Sequence, residues 1–327
     1  MSLLLALALS RSAHAADTAA DARKAELPAV RVSGLVFAHY GFDLTDGAGN
    51  RNAFDLDRAY LTAQSQMTGH LGARLTLDAG RLDDTTADTK IRVFVKNAWL
   101  EASSGKEIKA RFGVVDTGYL SFAENFIGGR YVAKFMADDQ KILSTADLGV
   151  NAQGEAAEGL LSWHAALLNG EGFTRPELDA GKTGQARVSV NPLARNDQLA
   201  LPITGFVSYA IPPRDGDSVL VYAGAIGVKV PHVYGWVEYV GESTAGVSSG
   251  GVSAIVSPRM PRYGNLILRL DRFDPNTGTA GDSTVKLIGG VSHDFLEKTS
   301  VALTYERTQP EVGDPTHGIF VHMQAGF

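Results

Sequence analysis

The chain has 327 residues, 36 glycines, no cysteine and a formal net charge of −6. Without cysteine there is no disulfide framework, thiol nucleophile or zinc-finger site, and the dispersed basic residues give no footprint for a nucleic-acid partner. No run of about 20 apolar residues exists, which excludes a helical membrane protein, and a hydrophobic content of 44% excludes wholesale disorder.

At the start, residues 3–9 are apolar and Ala13-His14-Ala15 follows, so residues 1–15 read as a secretory signal with an A-x-A cleavage site. No Lys or Arg precedes Leu3, which fits an initiating Met placed too far downstream. Residues 16–29 read as a polar, Ala-rich periplasmic leader, and residues 30–327 as one domain.

From Val30 onward the hydrophobic period is two. Leu71, Ala73, Leu75, Leu77 and Ala79 alternate with Gly72, Arg74, Thr76, Asp78 and Gly80. Leu266, Leu268 and Leu270 alternate with Ile267, Arg269 and Asp271. Such alternation predicts strands with one apolar and one polar face. In chain order they are 30–41, 54–68, 70–80, 94–102, 107–115, 147–153, 160–168, 184–191, 203–211, 219–230, 233–240, 251–257, 264–273, 284–294, 300–307 and 317–327.

The connections alternate in length. Even-numbered ones are tight, as at Gly69, 103–106, Pro231-His232 and 296–299, with exceptions at 192–202 and 258–263. Odd-numbered ones are long and polar: 43–53, 81–92, 116–146, 169–183, 241–250, 274–283 and 308–316. Long loops on one side and short turns on the other describe an outer-membrane barrel. Strands of about 10 residues cross a tilted bilayer span, and only a closed barrel satisfies their backbone groups in lipid. The expected fold class is all-β, a closed antiparallel transmembrane β-barrel of about 16 strands, with 12 and 18 as bounds. In the last strand Ile319, Val321, Met323, Ala325 and Phe327 share one face. Met323, Ala325 and Phe327 look like the terminal signature of bacterial outer-membrane barrels, through which the barrel-assembly machinery engages its clients.

The order of features resembles the phosphate-selective porin O and P family of outer-membrane porins. The residues that carry it are Phe54-Asp55-Leu56-Asp57-Arg58-Ala59-Tyr60-Leu61, the strand 72–78, Asn97-Ala98-Trp99-Leu100-Glu101, Ala110-Arg111-Phe112-Gly113-Val114 and Asp147-Leu148-Gly149-Val150. The chain departs from that pattern at Asp116-Thr117-Gly118, where the family is more basic and carries proline. The resemblance implies a passive, often homotrimeric channel among outer-membrane lipids, passing small solutes or anions. It also implies that the third external loop, 116–146, folds inward and narrows the pore through Tyr119, Phe122, Glu124, Arg130, Lys134 and Asp138. An external loop or an unrecognised strand pair is the other reading of that segment.

Strand parity assigns lumen-facing charge. Arg58, Arg74, Lys109, Arg111, Arg187, Arg269 and Lys286 are basic, and Asp78, Glu101, Glu238, Asp271 and Glu306 acidic. A basic excess on the early strands predicts a weak anion preference; cross-strand pairing that fixes register is the alternative. Tyr40, Phe42, Tyr60, Trp99, Tyr209, Tyr239, Phe273, Phe295, Tyr305 and Phe327 fit interfacial girdles, and Trp236 shares a face with Glu238. No catalytic set, cofactor or metal is expected. Gly246-Val247-Ser248-Ser249-Gly250 matches G-x-S-x-G but lies between strands rather than at a strand-to-helix elbow. The histidines lack ligand spacing, and the Asp-rich loops lack the EF-hand pattern. A barrel hydrolase or esterase using His164 or His322, a non-channel structural barrel, and a soluble periplasmic β protein are the competing readings.

Overall fold

The computed structural model describes residues 28–81, 90–105, 107–177, 180–212, 216–260 and 263–327. The signal and most of the leader expected at 1–29 lie outside the described residues. Sixteen strands follow in order: β1 Val30–Asp43, β2 Asn52–Gln66, β3 Leu71–Gly80, β4 Arg92–Ser104, β5 Ile108–Asp116, β6 Ala146–Ala156, β7 Leu161–Leu168, β8 Lys182–Val190, β9 Ile203–Ile211, β10 Val219–Val230, β11 Val233–Thr244, β12 Val247–Met260, β13 Gly264–Asp274, β14 Thr284–Leu296, β15 Thr299–Pro310 and β16 Thr316–Gly326. Two helices, α1 Leu120–Ile127 and α2 Met136–Asp139, lie between β5 and β6.

Each strand pairs antiparallel with its sequence neighbours, and β1 pairs with β16 from Leu35↔Gly326 to Asp43↔Gly318, closing the barrel. Closure leaves no sheet edge to be satisfied by lipid. The last pairing is completed at the backbone, where Gly34 and Phe327 exchange hydrogen bonds of 2.9 and 3.0 Å.

The period-two pattern sorts side chains by polarity. Leu61, Leu75, Leu100, Phe112, Val150, Leu167, Val188, Val207, Val237, Val252, Leu268, Leu287, Leu303 and Val321 are all exposed on the outside. The alternate positions point inward and are polar and buried, among them Thr76, Asn97, Asn151, Gln185, Ser208, Ser253 and Thr304. An apolar exterior around a polar interior suits a bilayer, not water.

Two connections differ from the sequence expectation. The segment 241–250 is not a long loop: β11 runs on to Thr244 and β12 begins at Val247, leaving only Ala245 and Gly246 between them. Both have positive φ, 51° and 80°, the left-handed pair of a tight hairpin turn. Likewise β12 extends to Met260 and β13 starts at Gly264, so only the connection between β8 and β9 remains long on the turn side.

Register shifts interrupt the alternation. One lies at Phe37/Ala38 against β2, another at Thr76/Leu77 against β4. A bulge turns two consecutive residues to the same side. Asp57 and Arg58 consequently both face inward, toward His39 and Asp78, and Lys96 and Asn97 both face inward, toward Thr145 and Asp116.

Candidate functional site: the lumen and its inner loop

The segment 117–145 folds into the barrel. Its apolar residues Tyr119, Leu120, Ala123, Ile127, Phe135, Met136, Ala137 and Leu143 pack against Phe206 of β9, Val221, Ala223 and Ala225 of β10, Trp236 and Val240 of β11, and Phe273 of β13. This supplies the apolar contact that these inward wall positions lack elsewhere. Gly227 leaves the space into which the Phe126 ring projects, 2.5 Å from where a Cβ would sit. At its far end the segment crosses the lumen, where Tyr131 packs with Phe37 of β1 and Ala302 of β15.

Polar ties fix the same segment. The Tyr119 hydroxyl donates to Glu238 Oε2 at 2.6 Å, and the Trp236 indole N–H donates to the same oxygen at 2.9 Å. Burial beside that carboxylate pushes the Tyr119 phenol far up, so it stays protonated and remains a donor. Arg130 bridges Glu124 at 3.1 Å and Asp138 at 3.2 Å. Burial raises the Glu124 carboxyl despite Arg130, the main opposing charge. Arg269 donates to the Lys134 carbonyl at 2.6 Å, and Lys286 bridges Asp139 at 3.1 Å. Phe122 lies under the Arg187 guanidinium, 4.1 Å from ring centroid to carbon.

The charged residues named from parity all point inward, but many are paired. Arg58 meets Asp78 at 3.2 Å, Arg111 meets Glu101 at 2.8 Å and Asp116 at 3.4 Å, and Arg269 meets Asp271 at 2.6 Å. Glu306 lies 3.4 Å from His322. Glu238 does not line an open passage, because the loop covers it and leaves it 1% exposed. Arg187, 7% exposed, is covered in the same way. Trp236 points inward, as its parity with Glu238 implies. The girdle expectation fails for Tyr60, Trp99 and Phe273. Trp99 and Phe273 are buried inside, and Tyr60 stacks edge-on against inward-facing Phe37.

Alternation alone misses several inward groups. Asp57 and Lys96 are hidden by the bulges. His39 and His322, with ring centroids 6.0 Å apart, read as ordinary polar alternates.

Inward charge is unevenly distributed along the axis. Toward the short-turn end, the strands carry Arg31, Arg74, Lys109, Arg111, Arg187, Lys229 and Arg259 against Glu101, Glu155 and Asp294. Toward the long-loop end, they carry Asp43, Asp55, Asp57, Asp78, Asp116, Asp147, Glu242, Asp271 and Glu306 against Arg58, Arg92, Lys96, Arg269 and Lys286. Short turns face the periplasm and long loops the outside in such barrels.

Two cavities lie along this axis. The outer one, about 610 Å³, is lined by Asp43, Arg51, Lys286, Glu306, His317 and Phe320. The inner one, about 220 Å³, is lined by Tyr131, Arg259, Arg269, Ser292, Asp294 and Gln324. Ser248 and Ser249 of the G-x-S-x-G match sit at the hairpin end of β12. His164 is buried on β7, and His322 bonds Thr304. Among the described residues no cluster of His, Asp and Glu could hold a metal ion.

No protein-family model matches the chain, and no curated protein matches it. Solved structures do. Salmonella typhi OmpF in complex with daunomycin aligns with a TM-score of 0.67 at 11% identity, over 92% of this chain and 98% of that one. A loop L8 deletion mutant of OmpT, an outer membrane protein of Vibrio cholerae, aligns with a TM-score of 0.65 at 12% identity, over 92% and 100%. The trimer form of in-vitro folded OmpT of Vibrio cholerae aligns at 0.62 and 12% identity, over 92% and 100%. At these identities the likeness is one of fold: the chain has the closed sixteen-strand barrel of outer-membrane proteins, clad in apolar side chains for the lipid.

Proposed function

We propose that this barrel is a porin, a passive channel for small hydrophilic solutes, and not an enzyme. The observation that carries the reading is the loop 117–145, anchored to β9–β11 inside a lumen whose other walls are polar and charged. A purely structural barrel has no need of an internal polar face tied to an inward loop. The loop acts as the constriction, with Glu124, Arg130, Lys134 and Asp138 at its charged edge and Tyr119 and Phe122 as its anchors. The resemblance to the phosphate-selective porins supports small anions as solutes, and the departure at Asp116-Thr117-Gly118 counts against selectivity for phosphate.

The anion preference rests on Arg74 and Lys109, inward cations without a carboxylate partner among the described residues. The other basic residues named from parity are balanced by acids, except Arg187, which the loop covers. The assembly we propose is a homotrimer, since one of the similar structures is a trimer form. Liposome swelling tests the channel reading. Vesicles holding the folded protein should swell in small sugars at a rate falling steeply with solute size. Swelling no faster than in empty vesicles contradicts it. A zero-current potential of anionic sign in a KCl gradient checks the ion preference, and a cationic sign rejects it.

A further inference from the structure

We infer that the lumen is a bipolar conductor that passes ionic current more readily in one direction than in the other. This rests on the channel reading above.

Removal of every ion pair from the lumen wall leaves two separated groups. At the turn end, Arg31, Arg74, Lys109 and Lys229 have no carboxylate partner among the described residues. Arg74 bonds only Thr76 among the described residues, and Lys229 lies over Tyr234. At the loop end, Asp43 and Asp147 are held by backbone N–H groups, of Thr45 and of Leu148 and Gly170. Glu242 has no cationic partner among the described residues, and the ion-pair partners of Asp57 and Glu306 among them are histidines. Lys96 at the loop end and Glu155 at the turn end are the exceptions. The pairs cancel locally, so these residual charges set the field along the pore.

A wall of one sign gathers mobile ions of the other. The loop-end half is therefore rich in cations and the turn-end half in anions. A field that is positive outside drives both populations toward the junction and fills it. The opposite field draws both away and depletes it. Conductance is then higher with the loop side positive. The effect requires wall charge to reach across the lumen, so it depends on a Debye length of about 10 Å at 0.1 M salt and fades near 3 Å at 1 M.

The test is the single-channel current of the full chain at both polarities in symmetric KCl. Because the protein has no cysteine, Ala280→Cys in the exposed loop after β13 reports orientation: a bulky impermeant thiol reagent blocks current only from the loop-side chamber. The expected ratio of currents, loop side positive over loop side negative, is about 1.5 or more at 0.1 M and near one at 1 M. The paired charge reversal Arg74→Glu with Lys109→Glu should abolish or invert it. The milder Arg74→Gln with Lys109→Gln, which is less disruptive to folding, should halve its excess over one. A conducting channel with equal currents at 0.1 M overturns the inference and leaves the channel reading intact. So does an asymmetry unchanged in the folded neutral pair, or one larger with the loop side negative. A folded protein that never conducts overturns the channel reading and this inference with it.

Discussion

The hydroxyl of Tyr119, at the entrance of α1, sits 2.6 Å from Glu238 on β11, more than a hundred positions later in the chain. It joins the inward loop to the barrel wall through a buried carboxylate that also takes the Trp236 N–H. Tyr119→Phe removes one of the donors and leaves the carboxylate short of a partner, a loss of about 1–3 kcal/mol. The barrel strands do not depend on this bond. The variant should keep its heat-modifiable gel mobility but show larger open-channel current noise and faster proteolysis at residues 128–134. Noise and cleavage equal to those of the parent would show that the bond does not hold the loop.

Gly34 sits where the β1–β16 seam meets the chain end. A Cβ there would meet the tip of the Phe327 ring, its Cζ and Cε atoms. Gly34→Leu forces that ring away while the backbone bonds of β1 and the chain end try to persist. That ring is largely exposed at the chain end and can swing away, so the expected cost is within about 0.5 kcal/mol, and the temperature for loss of the folded gel band should barely move. Phe327→Ala in the same background should add little, because the ring has already been displaced.

Asp78 is fully buried and meets Arg58 across the β2–β3 pair. Removal of the acid alone strands a largely buried guanidinium, so Asp78→Ala should destabilise by about 2 kcal/mol or more. The double variant Arg58→Ala with Asp78→Ala should lose less than the sum of the single losses. Urea unfolding followed by tryptophan fluorescence measures this. Additive losses would mean that the two side chains do not interact.

Ala245 occupies the left-handed region at the hairpin between β11 and β12, where a residue with a Cβ is strained. Ala245→Asn suits that conformation and should stabilise by about 1 kcal/mol. An unchanged unfolding midpoint would show that the turn contributes nothing to the measured transition.

That hairpin also marks where the sequence is hard to read. Ala-Gly is a weaker turn signal than Asn-Gly, and the Gly/Ser content of 241–250 resembles a loop, although in the barrel Gly241 and Gly250 are paired strand positions. Gly250, for example, takes the Tyr239 hydroxyl 2.7 Å from where a Cβ would be. The sixteen strands were legible because each must present an apolar face to lipid, and period two records that demand directly. Inward orientation of Arg58, Arg74 and Arg111 followed from the same parity. Partners did not. Pairing of Arg111 with Glu101 depends on register, and the inward turn of Asp57 and Lys96 depends on bulges that leave almost no trace in composition. The axial separation of charge emerges only after strand direction and ion pairs are both known.

Stepwise conductance in a planar bilayer tests the channel account most directly. Purified, detergent-folded protein, checked by its heat-modifiable mobility, should insert as discrete, reproducible current steps in 1 M KCl, and a loosened loop in Tyr119→Phe should raise their size or their noise. Repeated insertion attempts with demonstrably folded protein that yield no current steps would contradict it.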